Sequence, residues 1–443
     1  MQTIRTLAAG IACVLTLLAS VPADARSLIR DSEIERTLRE MSTPIFQSAG
    51  LSPSSVNIYI IQDRNLNAFV TGGRRIFLNT GLLIELETPE ELLGVIAHEV
   101  GHIAGGHEAR RSINLRNAQG PALIGALVGI AAGIAGGGDA GIAIAAGTQG
   151  AILRTLLKYN RAEEASADQA ALSYLQRSGI NPEGLLKVIE RFRGQEVLSV
   201  GNVDPYVQTH PLGTERMSLL ERKIAAVRGR TWKSDPDREY WHGRMRAKLR
   251  GFLHSPERVI DRLETEPETE AMLYERAVAE HRLPDTNAAL STMDQLLRIR
   301  PNDPFYVELK GQILLESARA EEAVPLYRRA VSLAPNEALI KAGLGRSLLQ
   351  LNSPRFDAEA LQVLKEARAA DLADASVLRA LAVAYERSGD TAMATLATAE
   401  RYALAGNVKN AISLAKRAEA MFPRGSTGWI RAQDILKLDP GEN

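Results

Sequence analysis

The sequence predicts a mostly α-helical protein in two parts, an α+β domain with a small β-sheet followed by an α-solenoid. Three observations carry this. β-prone runs are confined to residues 55–83, helical spacing of apolar residues covers most of the remainder, and from about residue 270 the chain repeats in steps of 34. Composition agrees: 45% of residues are hydrophobic but only 5% aromatic, which suits stacked helices packed through Ala and Leu. At 443 residues the chain is long enough for two or three domains.

Lys+Arg and Asp+Glu are equal at 53 each, so the formal charge is zero. That balance excludes a nucleic-acid-binding role, because no surplus of cations exists to replace counterions along phosphates. The hydrophobic content excludes a disordered chain. A single Cys, Cys13, excludes a disulfide scaffold or a cofactor held by thiolates.

Residues 1–25 read as an export signal: Arg5, an apolar run from Leu7 to Ala19, and the small-residue site Ala23-Asp24-Ala25. Cleavage after Ala25 gives a mature chain without Cys; an uncleaved anchor is the alternative. Lipidation of Cys13 is discounted, because Gly10 stands where a large aliphatic residue is expected. Ile34, Leu38, Met41 and Ile45 mark a helix over 30–48, and residues 55–61 a strand. Residues 67–83 form a hairpin around Gly72-Gly73. Thr88 as N-cap, Pro89 and a capping-box Glu91 start a helix whose buried stripe is Leu92, Ile96, Val100 and Ile103.

Residues 121–153 are rich in Ala, Gly and Ile and interrupted by Gly136-Gly137-Gly138-Asp139. Each half is short for a membrane span, so a flap or helical hairpin over the domain is expected, with peripheral membrane contact left open. Residues 154–192 return to helical spacing, and a loop at His210 leads into another helix. Residues 221–260, with eleven basic against five acidic residues, read as a linker and the first helix of a second domain, their charges on a solvated face. The division is then signal 1–25, first domain 26–225, linker and first helix 226–268, and repeats 269–440.

Within the repeats, Pro301 and Pro335 are separated by one step, with Gly311, Ala323, Tyr327 and Ala330 between them. After an insertion near Pro354 the pattern continues through Gly345, Ala360, Leu364 and Ala367, then Ala382, Tyr385 and Ala394, and last Tyr402, Ala411, Ala418 and Pro423. This half resembles the tetratricopeptide family, although the consensus Trp is absent and an unrelated solenoid predicts nearly the same shape.

The chemistry centres on His98-Glu99-Val100-Gly101-His102. On a helix, positions i and i+4 share a face, so both imidazoles can bind one Zn²⁺ while Glu99 takes a proton from the attacking water. Two surface histidines on an amphipathic helix would give the same five residues. For a third ligand, the metzincin pattern places Gly105 correctly but finds Glu108 where a His is required, with His107 one residue early. The other candidates lie in Tyr159-Asn160-Arg161-Ala162-Glu163-Glu164-Ala165-Ser166-Ala167-Asp168, where Glu164 and Asp168 are one turn apart. One carboxylate can bind the metal and the other orient a ligand histidine. Glu163 is a rival that points about 100° away around the helix.

These motifs, with Asn67-Ala68-Phe69, Gly72-Gly73 and Asn79-Thr80-Gly81-Leu82-Leu83 before them, resemble the gluzincin metallopeptidases of the HtpX and CaaX-protease type. The resemblance implies zinc, one ion per subunit, on His98, His102 and Glu164, with Glu99 as general base and Asp168 behind the ligands. Asn160 and Ser166 depart from the family pattern without removing a ligand. Thr209-His210-Pro211 with Arg216 matches a further family segment. It implies that His210 occupies the fourth zinc position in a latent state, and that His210 or Arg216 stabilises the oxyanion when substrate displaces it. A loop histidine at a helix start is the plain alternative. His107 recurs in the family and is assigned only to packing.

The strand Asn67, Ala68, Phe69 is expected to hold extended substrate by edge pairing. His242, His254 and His281 are expected to face solvent. With an export signal and repeat tail, the chain resembles the members of this family that act in the periplasm on misassembled outer-membrane β-barrel proteins, with the repeats meeting those substrates or the β-barrel assembly machinery. A chaperone or scaffold working through the repeats, its zinc site latent, is the alternative function.

Overall fold

The computed structural model describes residues 28–110, 161–193, 205–232, 234–372 and 374–438. The export segment with Cys13, the apolar segment 121–153, and Tyr159 and Asn160 lie outside the described residues. Strands β1 (Leu28–Ile29), β2 (Asn57–Ile61), β3 (Ala68–Thr71) and β4 (Arg75–Asn79) form one sheet in the order β1-β2-β4-β3. β2 and β4 run parallel and the other pairs antiparallel. The expected hairpin is β3-β4, turned by Gly73 and Arg74 at φ +84° and +60°. β3 is thereby an edge strand.

Helix α1 (Ser32–Ser48) follows β1; the Asp31 side chain accepts from the Ile34 N–H at 3.0 Å. Ile34, Leu38, Met41 and Ile45 are buried, as their spacing predicts. After α2 (Thr80–Glu85), Thr88 caps α3 (Pro89–Ala104) by accepting from Glu91 N at 3.3 Å. Glu91 reaches back to the Glu87 N–H at 2.9 Å, one residue before the position a capping box uses. Leu92, Ile96 and Val100 are fully buried and Ile103 half-buried.

Against α3 pack α4 (Arg161–Arg177) and α5 (Glu183–Arg191). Gly101 makes the first contact close: a Cβ there would lie 2.7 Å from the Ala167 carbonyl oxygen. The glycine inside the histidine motif thus sets how near α4 comes to the two imidazoles. α6 (Pro205–Thr209) and α7 (Thr214–Ala225) complete this part.

The basic run 221–260 does not present a solvated face throughout. α8 (Pro236–Leu253) sends Met245 and Leu249 into the first core and sets Trp241 edge-on to Phe305 at 6.1 Å. Arg244 and Lys248 are buried against acids on α1 and the repeats. Arg244 pairs with Glu33 and, at 2.5 Å, with Asp303; Lys248 lies 2.7 Å from Asp31 and 3.2 Å from Glu33. The Arg244 guanidinium also sits 3.7 Å from the Tyr306 ring centroid. His242, on the same helix, is buried rather than solvent-facing, and His281 is half-buried with Glu316 2.7 Å away; His254 is exposed.

Beyond α9 (Pro256–Leu263) the helices come in pairs: α10 (Glu270–Arg282) with α11 (Thr286–Ile299), α12 (Pro304–Glu316) with α13 (Ala320–Leu333), α14 (Ala338–Gln350) with α15 (Asp357–Ala370), α16 (Ala375–Arg387) with α17 (Thr391–Leu404), and α18 (Val408–Met421) with α19 (Thr427–Leu436). Ala323, Tyr327, Ala330, Ala360, Leu364 and Ala367 are buried as the repeat predicts. Ala382 and Tyr385 are only half-buried, the core positions there being Leu381 and Ala384. No helix among the described residues is long and apolar enough to cross a membrane.

Candidate metal centre

Three elements bring His98, His102, Glu164 and His210 together, one ligand-type atom from each residue lying within 4.8 Å of the others. α3 supplies the imidazoles one turn apart, and their Nε2 atoms lie 3.0 Å from each other. α4 supplies Glu164, 3.4 Å from His98 Nε2 and 3.2 Å from His102 Nε2. The loop between α6 and α7 brings His210, whose Nδ1 is 3.1 Å from Glu164 and 3.3 Å from His98 Nε2. All four, and Glu99, are fully buried, whereas Glu163 is half-buried and outside the cluster. Glu108 is also outside it, its carboxylate lying beside the hairpin tip, 3.3 Å from where a Cβ on Gly72 would stand. The metzincin arrangement is therefore not formed.

Each imidazole has its other ring nitrogen engaged. His98 Nδ1 meets Asp168 at 2.9 Å, His102 Nδ1 meets His107 Nδ1 at 2.9 Å, and His210 Nε2 meets the Ala68 carbonyl at 3.1 Å. A carboxylate and a carbonyl can only accept here, so in the neutral form, the one that binds a metal, His98 and His210 turn lone pairs toward the cluster. Burial opposes ionisation of Asp168, but Arg216 outweighs it and holds the pKa down at about 2. Glu164 is likewise held well below the usual carboxylate range, against burial, chiefly by Arg216. Burial also opposes protonation of His98, yet Glu164 and Asp168 hold its pKa up at about 10, while burial drives His102 well down.

The donor set suits a divalent cation. Imidazole nitrogens and a carboxylate converge there, the combination of donors that holds such an ion, while Arg216 faces Glu164 and Asp168. Arg216 is engaged by these acids and by its own loop. Its Nε and one terminal nitrogen hold Asp168 at 2.6 and 2.9 Å, and the other terminal nitrogen meets Glu164 at 2.7 Å and the Pro211 carbonyl at 3.2 Å.

The edge strand adjoins the cluster. Besides the His210 contact at Ala68, Thr209 donates to the Asn67 side chain at 3.2 Å; Phe69 stacks on Phe77 of β4 at 5.1 Å. Sequence reasoning missed the contact of His107 with His102, the Thr209 contact, and the Phe192–Tyr206–His210 stack at 4.9 and 4.8 Å. For His107 the signal was present in Gly105-Gly106, since Gly106 at φ +62° reverses the chain after α3.

Residues 29–224 match peptidase family M48. The beta-barrel assembly-enhancing protease of Escherichia coli (strain K12) is 25% identical over 411 residues, covering 91% of this chain and 82% of that one. A putative beta-barrel assembly-enhancing protease of Vibrio cholerae serotype O1 is 25% identical over 415 residues, 91% of this chain and 83% of that one. Metalloprotease YcaL of Escherichia coli (strain K12) is 26% identical over 200 residues, covering 44% of this chain and 72% of its own. The first two similarities continue through the helical repeats.

Proposed function

We propose, for a chain that carries a peptidase family M48 domain at residues 29–224 and is a metalloendopeptidase, that His98, His102 and Glu164 hold one zinc ion per subunit. Zinc supplies Lewis acidity toward water and the peptide carbonyl. Glu99 takes the proton of the attacking water and passes it to the leaving amine. Asp168 orients His98, and Arg216 keeps Asp168 and Glu164 ionised and in place. The observation that carries the assignment is the convergence of His98, His102 and Glu164 from two helices far apart in sequence.

His210 acts as latch and, once withdrawn, as oxyanion donor. Its Nδ1 faces the metal position and its Nε2 takes the Ala68 carbonyl, which an incoming peptide needs for strand pairing. One side chain thus closes both the metal and the substrate edge Asn67, Ala68 and Phe69. Misassembled outer-membrane β-barrel proteins fit that edge, since they present extended segments with unpaired backbone groups. In this reading the protein works in the periplasm after loss of residues 1–25. The peptidase unit is 26–225, joined through 226–268 to repeats 269–440 that meet the substrates or the assembly machinery. Measuring zinc in purified wild type and Glu164→Ala tests the centre. The wild type should hold about one zinc per chain and the variant little; full occupancy in the variant would sink the ligand assignment.

A further inference from the structure

His98 has a carboxylate behind it, but nothing in the sequence reading accounts for the orientation of His102. Its Nδ1 lies 2.9 Å from Nδ1 of His107, whose side chain is 2% exposed. Two ring nitrogens at that distance need one hydrogen between them: one donates and the other accepts. His102 Nε2 faces His98 Nε2 at 3.0 Å and Glu164 at 3.2 Å, so its lone pair serves a cation only when the hydrogen of the ring is on Nδ1. We propose that His107 is a positioning residue whose Nδ1 accepts the Nδ1–H of His102, holding that ring in the tautomer and orientation that aims its Nε2 lone pair into the centre. The proposal rests on reading His102 as a zinc ligand.

The backbone after α3 is shaped for this contact. His107 is five residues beyond His102, too far along to share its face on a continuing helix. Gly105 caps α3, and Gly106 at φ +62° turns the chain back. A Cβ on Gly105 would lie 2.5 Å from His107 Nε2, so this position must be glycine for the imidazole to lie where it does. The Gly105 that imitates a metzincin motif therefore serves to seat His107. The two zinc histidines are then held by different acceptors, an Arg216-locked carboxylate for His98 and an imidazole for His102.

The test uses the full chain and zinc alone, with affinity read by competition against a chelator. His107→Leu, which fills the space without an acceptor, should bind zinc about 10- to 100-fold more weakly, the usual effect of losing a hydrogen bond behind a ligand. His107→Asn, whose amide oxygen can accept, should recover most of that loss. Gly105→Ala keeps the acceptor but displaces it, and should weaken zinc binding in the same direction; it also covers the case in which the Leu variant does not fold. Nitrogen-15 NMR of the histidine rings in the metal-free wild type should find His102 protonated on Nδ1. The proposal is overturned if His107→Leu binds zinc as wild type does, if Leu and Asn variants lose affinity equally, or if His102 is protonated on Nε2. A wild type that binds no zinc overturns the site reading itself, a separate outcome.

Discussion

Among the described residues, the metal centre and the charge cluster around α8 are both buried, and they are built on opposite plans. At the metal centre, imidazole nitrogens and the Glu164 carboxylate converge on one point, an arrangement that suits a bound cation. Between α1, α8 and the repeats, Arg244 and Lys248 face Asp31, Glu33 and Asp303, with the Tyr274 hydroxyl donating to Glu33 at 2.5 Å. There each acid already has a cation or hydroxyl partner, and no imidazole is among them. Burial of charge alone therefore does not mark chemistry. What distinguishes the metal centre is donor type, imidazoles converging with a carboxylate.

The largest effect should come from removing chemistry without removing charge pairing. Glu99→Gln should lower the rate of cleavage of an unfolded protein by about 10³- to 10⁴-fold while the zinc content stays that of wild type. Undiminished cleavage would return Glu99 to the status of a buried structural acid. The matching change in the other cluster is Glu33→Ala, which leaves Arg244 and Lys248 buried with one acid fewer. Chemical denaturation should show a loss of about 3–5 kcal/mol, and zinc affinity of the folded fraction should be unchanged. If zinc binding fell as well, the two clusters would be coupled and the contrast between them would fail.

The same contrast explains what was readable in the sequence. Residues tied to a helical repeat were legible: His98 and His102 one turn apart on α3, and Glu164 and Asp168 one turn apart on α4. Helix caps and the hairpin were legible for the same reason, since they depend on neighbours in sequence. The partners of Arg216 were not legible, because they lie on α4 and become visible only when α7 is packed. The basic run on α8 was misread for a similar reason. Its acids sit on α1, over two hundred residues earlier, and charge counting along the chain cannot find them.

Gly101→Ala tests a smaller effect that should reach only the first cluster. The added Cβ would crowd the Ala167 backbone, which lies between Glu164 and Asp168 on α4. Overpacking of this kind costs about 1–3 kcal/mol, and here it should also weaken zinc binding by moving the third ligand. A Cβ on Gly343 would meet the Tyr327 ring at 2.2 Å, so Gly343→Ala should lower stability within the repeats and leave zinc affinity alone. Equal zinc affinities in the two variants would show that the approach of α3 and α4 does not set the centre.

The smallest effect concerns a buried histidine that belongs to neither cluster. His242 is 1% exposed on α8, and burial, reinforced by Arg246, holds its pKa down at about 3. The unfolded chain takes up a proton on this ring near its ordinary value of about 6.5, whereas the folded chain does not until far lower pH. The unfolded state thus binds more protons through that window, so His242 makes stability fall as pH drops below about 6.5. Between pH 7 and pH 5 the loss from this residue should be about 2 kcal/mol. His242→Leu should remove that part of the acid dependence, read as a flatter plot of unfolding free energy against pH. An unchanged slope would mean that the ring stays charged in the fold, and that a buried imidazole here needs no converging carboxylate to hold its proton.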